Sequence, residues 1–205
     1  MMSKRACGVQ PSVVASTFDT AWRGGLGVPA AFAMAEQSYM VFSGESAAGV
    51  ESVVVQELPA APHGAQTVVR AQTRIPGRAS LKFGAFGDVR GSSTGHIGFV
   101  GIGNLSAPLK ERFYGSYIWL NGTVEKLVDT LDIAPGGSRR WRSISTPVAY
   151  RTTDDLSVIW SGADAFPANV GRELVVRWRN QTRRTQLLLD STACGLSGML
   201  SLIHI

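Results

Sequence analysis

The sequence predicts an all-β protein, a sandwich or barrel of short antiparallel strands. Apolar and polar residues alternate with period two in run after run from residue 51 onward, the pattern of strands with one buried face. Gly, Pro, Asn and Asp separate these runs at intervals of about 8–15 residues, near the rhythm of all-β domains. Amphipathic helices are hard to place. The best rival, residues 26–36, is Ala-rich but carries Pro29 inside it, where a helix would lose a hydrogen bond and meet the ring.

Taken in order, residues 1–50 are rich in Ala, Gly and Ser and show little periodicity, so they are read as an unassigned leader or loop-rich segment. Residues 51–199 are read as one β-sandwich module. Val53-Val54-Val55 opens it, and Val69, Ala71, Thr73 and Ile75 then alternate with Arg70, Gln72 and Arg74 until Pro76-Gly77 makes a turn. Leu81, Phe83 and Ala85 form the next alternation, followed by the Gly-rich run 97–102. Residues 117–120 and 123–124 flank Asn121-Gly122, the strongest short hairpin signal, because both central residues of a type I′ turn need positive φ. After Pro135-Gly136-Gly137 come Ile144, Thr146, Val148 and Tyr150, then Leu156, Val158 and Trp160. The clearest pair is 173–179 with 185–189, joined by a short polar connection. Trp160 and Trp178 share phase with apolar neighbours and are expected in the core.

Composition sets outer bounds. Of 205 residues only 17% are charged and 2 are Cys, which excludes a highly charged disordered chain and a disulfide-dense miniprotein. No apolar run approaches the roughly 18–20 residues of a membrane-spanning helix. Sixteen Arg against four Lys fit GC-rich coding. The net charge of +5 is local, for residues 139–184 hold nine arginines (139, 140, 142, 151, 172, 177, 179, 183 and 184) against Asp154, Asp155, Asp164 and Glu173. Such a segment is either the solvated face of a sheet or an attractor of polyanions. Ala33-Met34-Ala35 has the small-x-small form of a signal-peptidase site. The stretch before it is too long and holds Asp19, so an Ala-rich loop or helix is expected there instead. Leu200-Ser201-Leu202-Ile203-His204-Ile205 is what CTG TCT CTT ATA CAC ATC encodes and resembles a translated transposase adaptor. Residues 200–205 are therefore expected to be adaptor-derived, with a longer native protein beyond Met199.

The motifs for chemistry are sparse. Gly91-Ser92-Ser93-Thr94-Gly95 matches G-x-S-x-G, with His96 next, but a nucleophile elbow needs a helix after the serine. Three glycines within 97–103 make that a poor helix, so a glycine-rich turn is expected. The pairs Asp129/Asp132 and Asp154/Asp155 have the residue type of a glycosidase pair or a calcium site, and equally of turn formers. Cys7 and Cys194 are single thiols, and neither C-x-x-C nor a Cys/His cluster is present, so no metal site is expected. Without a P-loop or a strand-linked G-x-G-x-x-G, no nucleotide cofactor is expected either. The Asn104, Asn121 and Asn180 sequons matter only in a eukaryotic secretory setting. Trp141 lies between Arg140 and Arg142, where an exposed ring would stack on a sugar or base and a rim ring would cover the core edge.

The order of strand, Asn121-Gly122, strand, Gly-rich turn, Trp141, strand and closing hairpin resembles jelly-roll β-sandwiches of the carbohydrate-binding-module or galactose-binding-like type. The matching segments are 117–122 (Tyr-Ile-Trp-Leu-Asn-Gly), 141–145 and 187–192, within residues 60–195. The resemblance implies a jelly roll, and a ligand surface around Trp141, Arg140, Arg142 and Tyr117. It implies a non-catalytic module of a larger extracellular or virion-associated protein, in contact with glycan or with other subunits. Two further readings stay open. One is a nucleic-acid-binding or capsid-type protein using the 139–184 arginines; the other is a hydrolase using Ser93 or an Asp pair.

Overall fold

The computed structural model describes residues 22–58, 65–103, 112–152, 155–164 and 172–191. Among them there is no helix, and the strands form three antiparallel sheets that follow one another along the chain. The first contains β1 (Trp22–Leu26), β2 (Ala30–Met34), β3 (Gln37–Ser46), β4 (Glu51–Leu58) and β5 (Ala65–Arg70). The second contains β6 (Arg74–Ile75), β7 (Arg78–Gly91), β8 (Ile97–Gly103), β9 (Phe113–Leu120) and β10 (Thr123–Asp129). The third contains β11 (Trp141–Ile144), β12 (Val148–Arg151), β13 (Leu156–Asp164), β14 (Glu173–Arg179) and β15 (Arg184–Asp190).

The second sheet is a simple meander in the order β10-β9-β8-β7-β6. In the first, β1 and β2 both lie along β3; in the third, β11 and β12 both lie along β13. The all-β antiparallel architecture is as expected. The strand order gives no jelly-roll connectivity, since a jelly roll returns the chain between two facing sheets by Greek-key crossovers. Here each sheet is finished before the next begins.

Local chemistry explains most of the elements. Asn121 and Gly122 adopt φ of 47° and 86°, and Leu120 pairs with Thr123 across this two-residue turn. Pro76-Gly77 turns β6 into β7 with Gly77 at φ 72°. The 173–190 hairpin closes as expected, with Arg179 opposite Arg184. Three runs break where alternation alone would continue them. The 69–75 run ends β5 at Arg70, turns through Gln72 at φ 69° and resumes as β6 in the next sheet. The 144–150 run is interrupted at Pro147, which cannot donate to a ladder. Residues 26–36, the one helix rival, contain β2 and a turn with Ala35 at φ 54°. The turn at 47–50 joins β3 to β4, whose ladder runs from Ser38↔Leu58 to Glu45↔Glu51, so residue 50 lies in a hairpin.

The three sheets stack face to face. Val41, Val53, Val55 and Val69 of the first meet Phe83, Phe99, Phe113 and Tyr117 of the second in one core. Ile118, Leu120 and Val128 of the second meet Trp141, Val158, Trp160, Leu174, Val176 and Trp178 of the third in another. Strand β9 therefore buries both faces. Phe113 and Tyr117 point one way and Ile118 and Leu120 the other, which is why Phe-Tyr-Gly-Ser-Tyr-Ile-Trp-Leu shows no polar alternation. Ser116 donates its hydroxyl to the Ser145 carbonyl across the second interface. Gly98 admits the Pro147 carbonyl so closely that a Cβ on residue 98 would lie 2.1 Å from its oxygen.

Candidate functional site

The sequence-nominated ligand surface divides between core and solvent. Trp141 is 3% exposed within the third sheet's core, and Tyr117 is 0% exposed within the other core. Arg140 and Arg142 are exposed beside Trp141. Neither ring is presented for stacking on a sugar or a base. The Tyr117 ring stacks on Phe99 at 5.6 Å and meets Phe83 edge-on at 4.8 Å. Its hydroxyl has no hydrogen-bond partner among the described residues. Burial, with the nearby charges of Asp129 and Asp132, pushes that phenol above its usual range.

The densest charge cluster lies at the end of β10. Asp129, 0% exposed, accepts a bidentate pair from Arg78 Nε and Nη2 at 2.9 Å each, and a bond from Lys126 Nζ at 3.3 Å. The Leu131 amide adds a bond at 2.9 Å. Asp132 accepts from Arg78 Nη2 at 2.8 Å, Lys126 Nζ at 2.8 Å and the Asp129 amide at 2.9 Å. Burial pushes the Asp129 carboxyl upward, but the Arg78 hydrogen bond, the Lys126 charge and the Leu131 amide outweigh it and hold it below its ordinary value. Two cations thus neutralise two carboxylates. A glycosidase acid must carry a proton near neutrality, and Asp129 is held in the opposite state. The cluster ties the start of β7 to the 129–132 turn. Of the other nominated pair, Asp154 lies outside the described residues, and Asp155 accepts the Gln181 amide at 3.1 Å.

The G-x-S-x-G segment is the turn between β7 and β8, flanked by strands on both sides. Ser93 is exposed. The hydroxyl that meets His96 Nδ1, at 2.6 Å, belongs to Thr94, which also bonds Ser92 Oγ at 2.6 Å. Burial, then the charge of Arg151, lowers the His96 pKa. This network closes a hairpin, and it does not join a serine nucleophile to a base. Cys7, Cys194, His63, Asn104 and residues 200–205 lie outside the described residues. Among those described, no three His, Cys, Asp or Glu side chains gather as a metal ligand set.

The nine arginines of 139–184 do not form one basic face. Arg172 is buried, bonding Asp164 at 3.0 Å, Asp190 at 3.2 Å and the carbonyls of Pro135 and Gly136. It thereby joins β13, β15 and the 135–136 turn, a structural role its place in a basic segment did not reveal. Arg183 pairs with Glu125 and covers the Trp178 ring at 5.3 Å. Arg177 bonds Gln186. Sequence reading also missed an open cleft of about 580 Å³ between the first and second sheets, lined by Thr67, Val69, Arg70, Thr73, Arg74 and Thr123 among others. Arg70 and Arg74 fall in an alternating run that reads as an ordinary strand, and only the turn at Gln72 brings them to one hollow.

The chain matches no protein-family profile and no curated protein sequence. It is similar to two solved structures. One is an endo-arabinase from Bacteroides thetaiotaomicron, 13% identical with a TM-score of 0.40, over 85% of this chain and 66% of that one. The other is a neuraminidase-like protein of A/flat-faced bat/Peru, 9% identical with a TM-score of 0.37, over 78% of this chain and 51% of that one. The chain spans less than two thirds of either. These are likenesses of β-rich fold, and the chemistry of this chain rests on its own residues.

Proposed function

We propose that the chain is a non-catalytic β module of a larger surface or virion-associated assembly, structural or adhesive in role and in contact with glycan. The observation that supports the structural part of this reading is the face of the third sheet turned away from the core. Three cross-strand rows cover it: Ser161-Val175-Leu189, Val148-Ile159-Arg177-Gln186 and Tyr150-Ser157-Arg179-Arg184. Val148 is 40% exposed and Leu188, in the bulge of β15, is 43% exposed. The middle sheet closes both of its faces against neighbours, whereas this apolar band bordered by arginines meets no further sheet among the described residues. Stacks of meanders are the unit of radially repeated β architectures. The occupant that suits the face is another antiparallel sheet, apolar at its centre and carrying carboxylates opposite Arg179 and Arg184.

The test is a hydrolysis panel of neutral and acidic glycosides and of esters, run on the chain beside Ser93→Ala, Asp129→Asn and Asp132→Asn. The expected result is no turnover in any sample. Turnover by the parent chain that any of these substitutions abolishes without unfolding the protein overturns the non-catalytic reading.

A further inference from the structure

We infer that the cleft between the first and second sheets is a binding site for an acidic saccharide, a hydroxyl-rich chain bearing carboxylate or sulfate groups. This deepens the adhesive part of the reading above by naming a ligand class.

The cleft has two cations that pair with no acid among the described residues. Arg70 ends β5 and Arg74 begins β6; both are exposed, and among the described residues neither guanidinium has an acidic partner. Both project from a fixed frame. The Thr73 amide bonds the Arg70 carbonyl at 3.2 Å, the Gln72 amide bonds the Phe83 carbonyl at 2.7 Å and the Phe83 amide returns to the Thr73 carbonyl at 3.0 Å. Arg74 also sits directly opposite Lys82, a like-charge pair that is unfavourable across a ladder until an anion joins it. Glu51, the carboxylate near this turn, is occupied by the Phe86 amide at 2.8 Å, and Glu125 by Arg183. No acid lines the cleft among the described residues.

The rest of the lining selects among anions. Thr67 and Thr73 bring hydroxyls, Thr123, whose proton goes to the Leu120 carbonyl at 2.9 Å, brings an acceptor, and Val68, Val69, Val124 and Pro76 supply an apolar floor. A guanidinium fork matches the paired oxygens of a carboxylate or sulfate, and threonine hydroxyls both donate to and accept from sugar hydroxyls. Among the described residues the lining contains no aromatic ring. A base would find nothing to stack on, and a neutral sugar would lose its usual platform as well. Charge is therefore the principal handle, and the saccharide acid is favoured over a nucleic acid.

The experiment is calorimetric titration of the full chain with a galacturonate hexamer, at low and at physiological salt, beside a sulfated oligosaccharide, a neutral oligosaccharide of the same length and single-stranded DNA. Reducing-end release is followed in the same samples. Expected are salt-sensitive binding of the uronate or the sulfated chain, no binding of the neutral one, and a loss of about tenfold in affinity for Arg70→Gln or Arg74→Gln. Arg179→Gln, far from the cleft, should stay within about twofold. Which acidic chain binds more tightly identifies the oxyanion. Failure of both acidic chains to bind, binding untouched by the Arg70 and Arg74 substitutions, or tighter binding of DNA through the same arginines overturns the inference. Because both side chains are exposed, unchanged thermal unfolding of the variants separates lost contacts from lost fold. Reducing-end release would count against the non-catalytic reading, and absent binding would count only against the cleft.

Discussion

Replacing Asp129 by Asn leaves Arg78 and Lys126 with one carboxylate where they had two, around a side chain that is 0% exposed. Breaking a buried charge pair from one side is costly, and because Arg78 and Lys126 keep partial access to water the expected loss is about 3 kcal/mol, read from the urea midpoint. The same group sets a pH dependence. Its carboxyl is held below the ordinary aspartate value in the folded state, so its contribution is complete above the ordinary aspartate range and is lost as pH falls through the lower folded value. Urea midpoints should therefore drop on acidification more steeply in the parent than in Asp129→Asn; parallel curves would contradict the assignment. Trp141→Ala should cost about 3–5 kcal/mol, while Arg140→Ala and Arg142→Ala should each stay within about 0.5 kcal/mol, checked by the same denaturation. These sites differ in how far the sequence disclosed them. Arg78 lies 51 positions before Asp129, a pairing that no local spacing announces. The placement of Trp141 was closer to hand. Two arginines on either side of a strand residue point to one face, which sends the residue between them to the other; the flanking charge looked like a binding surface but marks an inward ring.

Turns and glycines were the elements the sequence disclosed best, because their cause is local. Gly122 sits at φ +86 with nothing within 4 Å of where a Cβ would stand, so Gly122→Ala should cost about 1–2 kcal/mol through backbone conformation alone. Gly98 poses a different demand. A Cβ there would meet the Pro147 carbonyl carbon and oxygen, so Gly98→Ala must push β8 and the 145–147 segment apart. A loss at the upper end of the overpacking range, about 3 kcal/mol, is expected in thermal unfolding; a loss equal to that of Gly122→Ala would mean the contact is soft. Strand existence was also legible wherever one face is polar, as in β14, where Leu174, Val176 and Trp178 are buried and Arg179 is exposed. Strand membership was not. The 69–75 alternation continues without a break in the sequence, yet Arg70 and Arg74 belong to different sheets. Period two reports which face a residue takes, not which ladder it joins. That junction is the cleft, so the candidate site stayed hidden for the same reason as the sheet boundary.

At the scale of the molecule, stacking makes the middle sheet the interior, and among the described residues no further sheet covers the outward face of the third. The outward rows of the third sheet combine apolar Val148, Ile159, Val175 and Leu189 with Arg177, Arg179 and Arg184. Burying the apolar band stabilises any contact there in proportion to the area removed from water. The arginines act against it whenever the opposing surface is also cationic, and Arg179 opposite Arg184 already sets like charges side by side. A second copy of the chain is such a surface, because a two-fold contact presents the same rows to each other. Self-association through this face should consequently be weak at low salt and stronger near 1 M, where the screening length is about 3 Å. Sedimentation equilibrium should give a mass close to 21.9 kDa in dilute, low-salt solution, rising with protein and salt concentration. Ile159→Lys adds a cation at the centre of the apolar band and should keep the chain monomeric throughout; its partly buried, outward position leaves the core unaltered. A parent chain that remains monomeric at high salt, or an Ile159→Lys chain that associates as readily, would show that copies of the chain do not join through this face. Association that salt weakens would instead point to an attractive ion-pair contact elsewhere on the molecule.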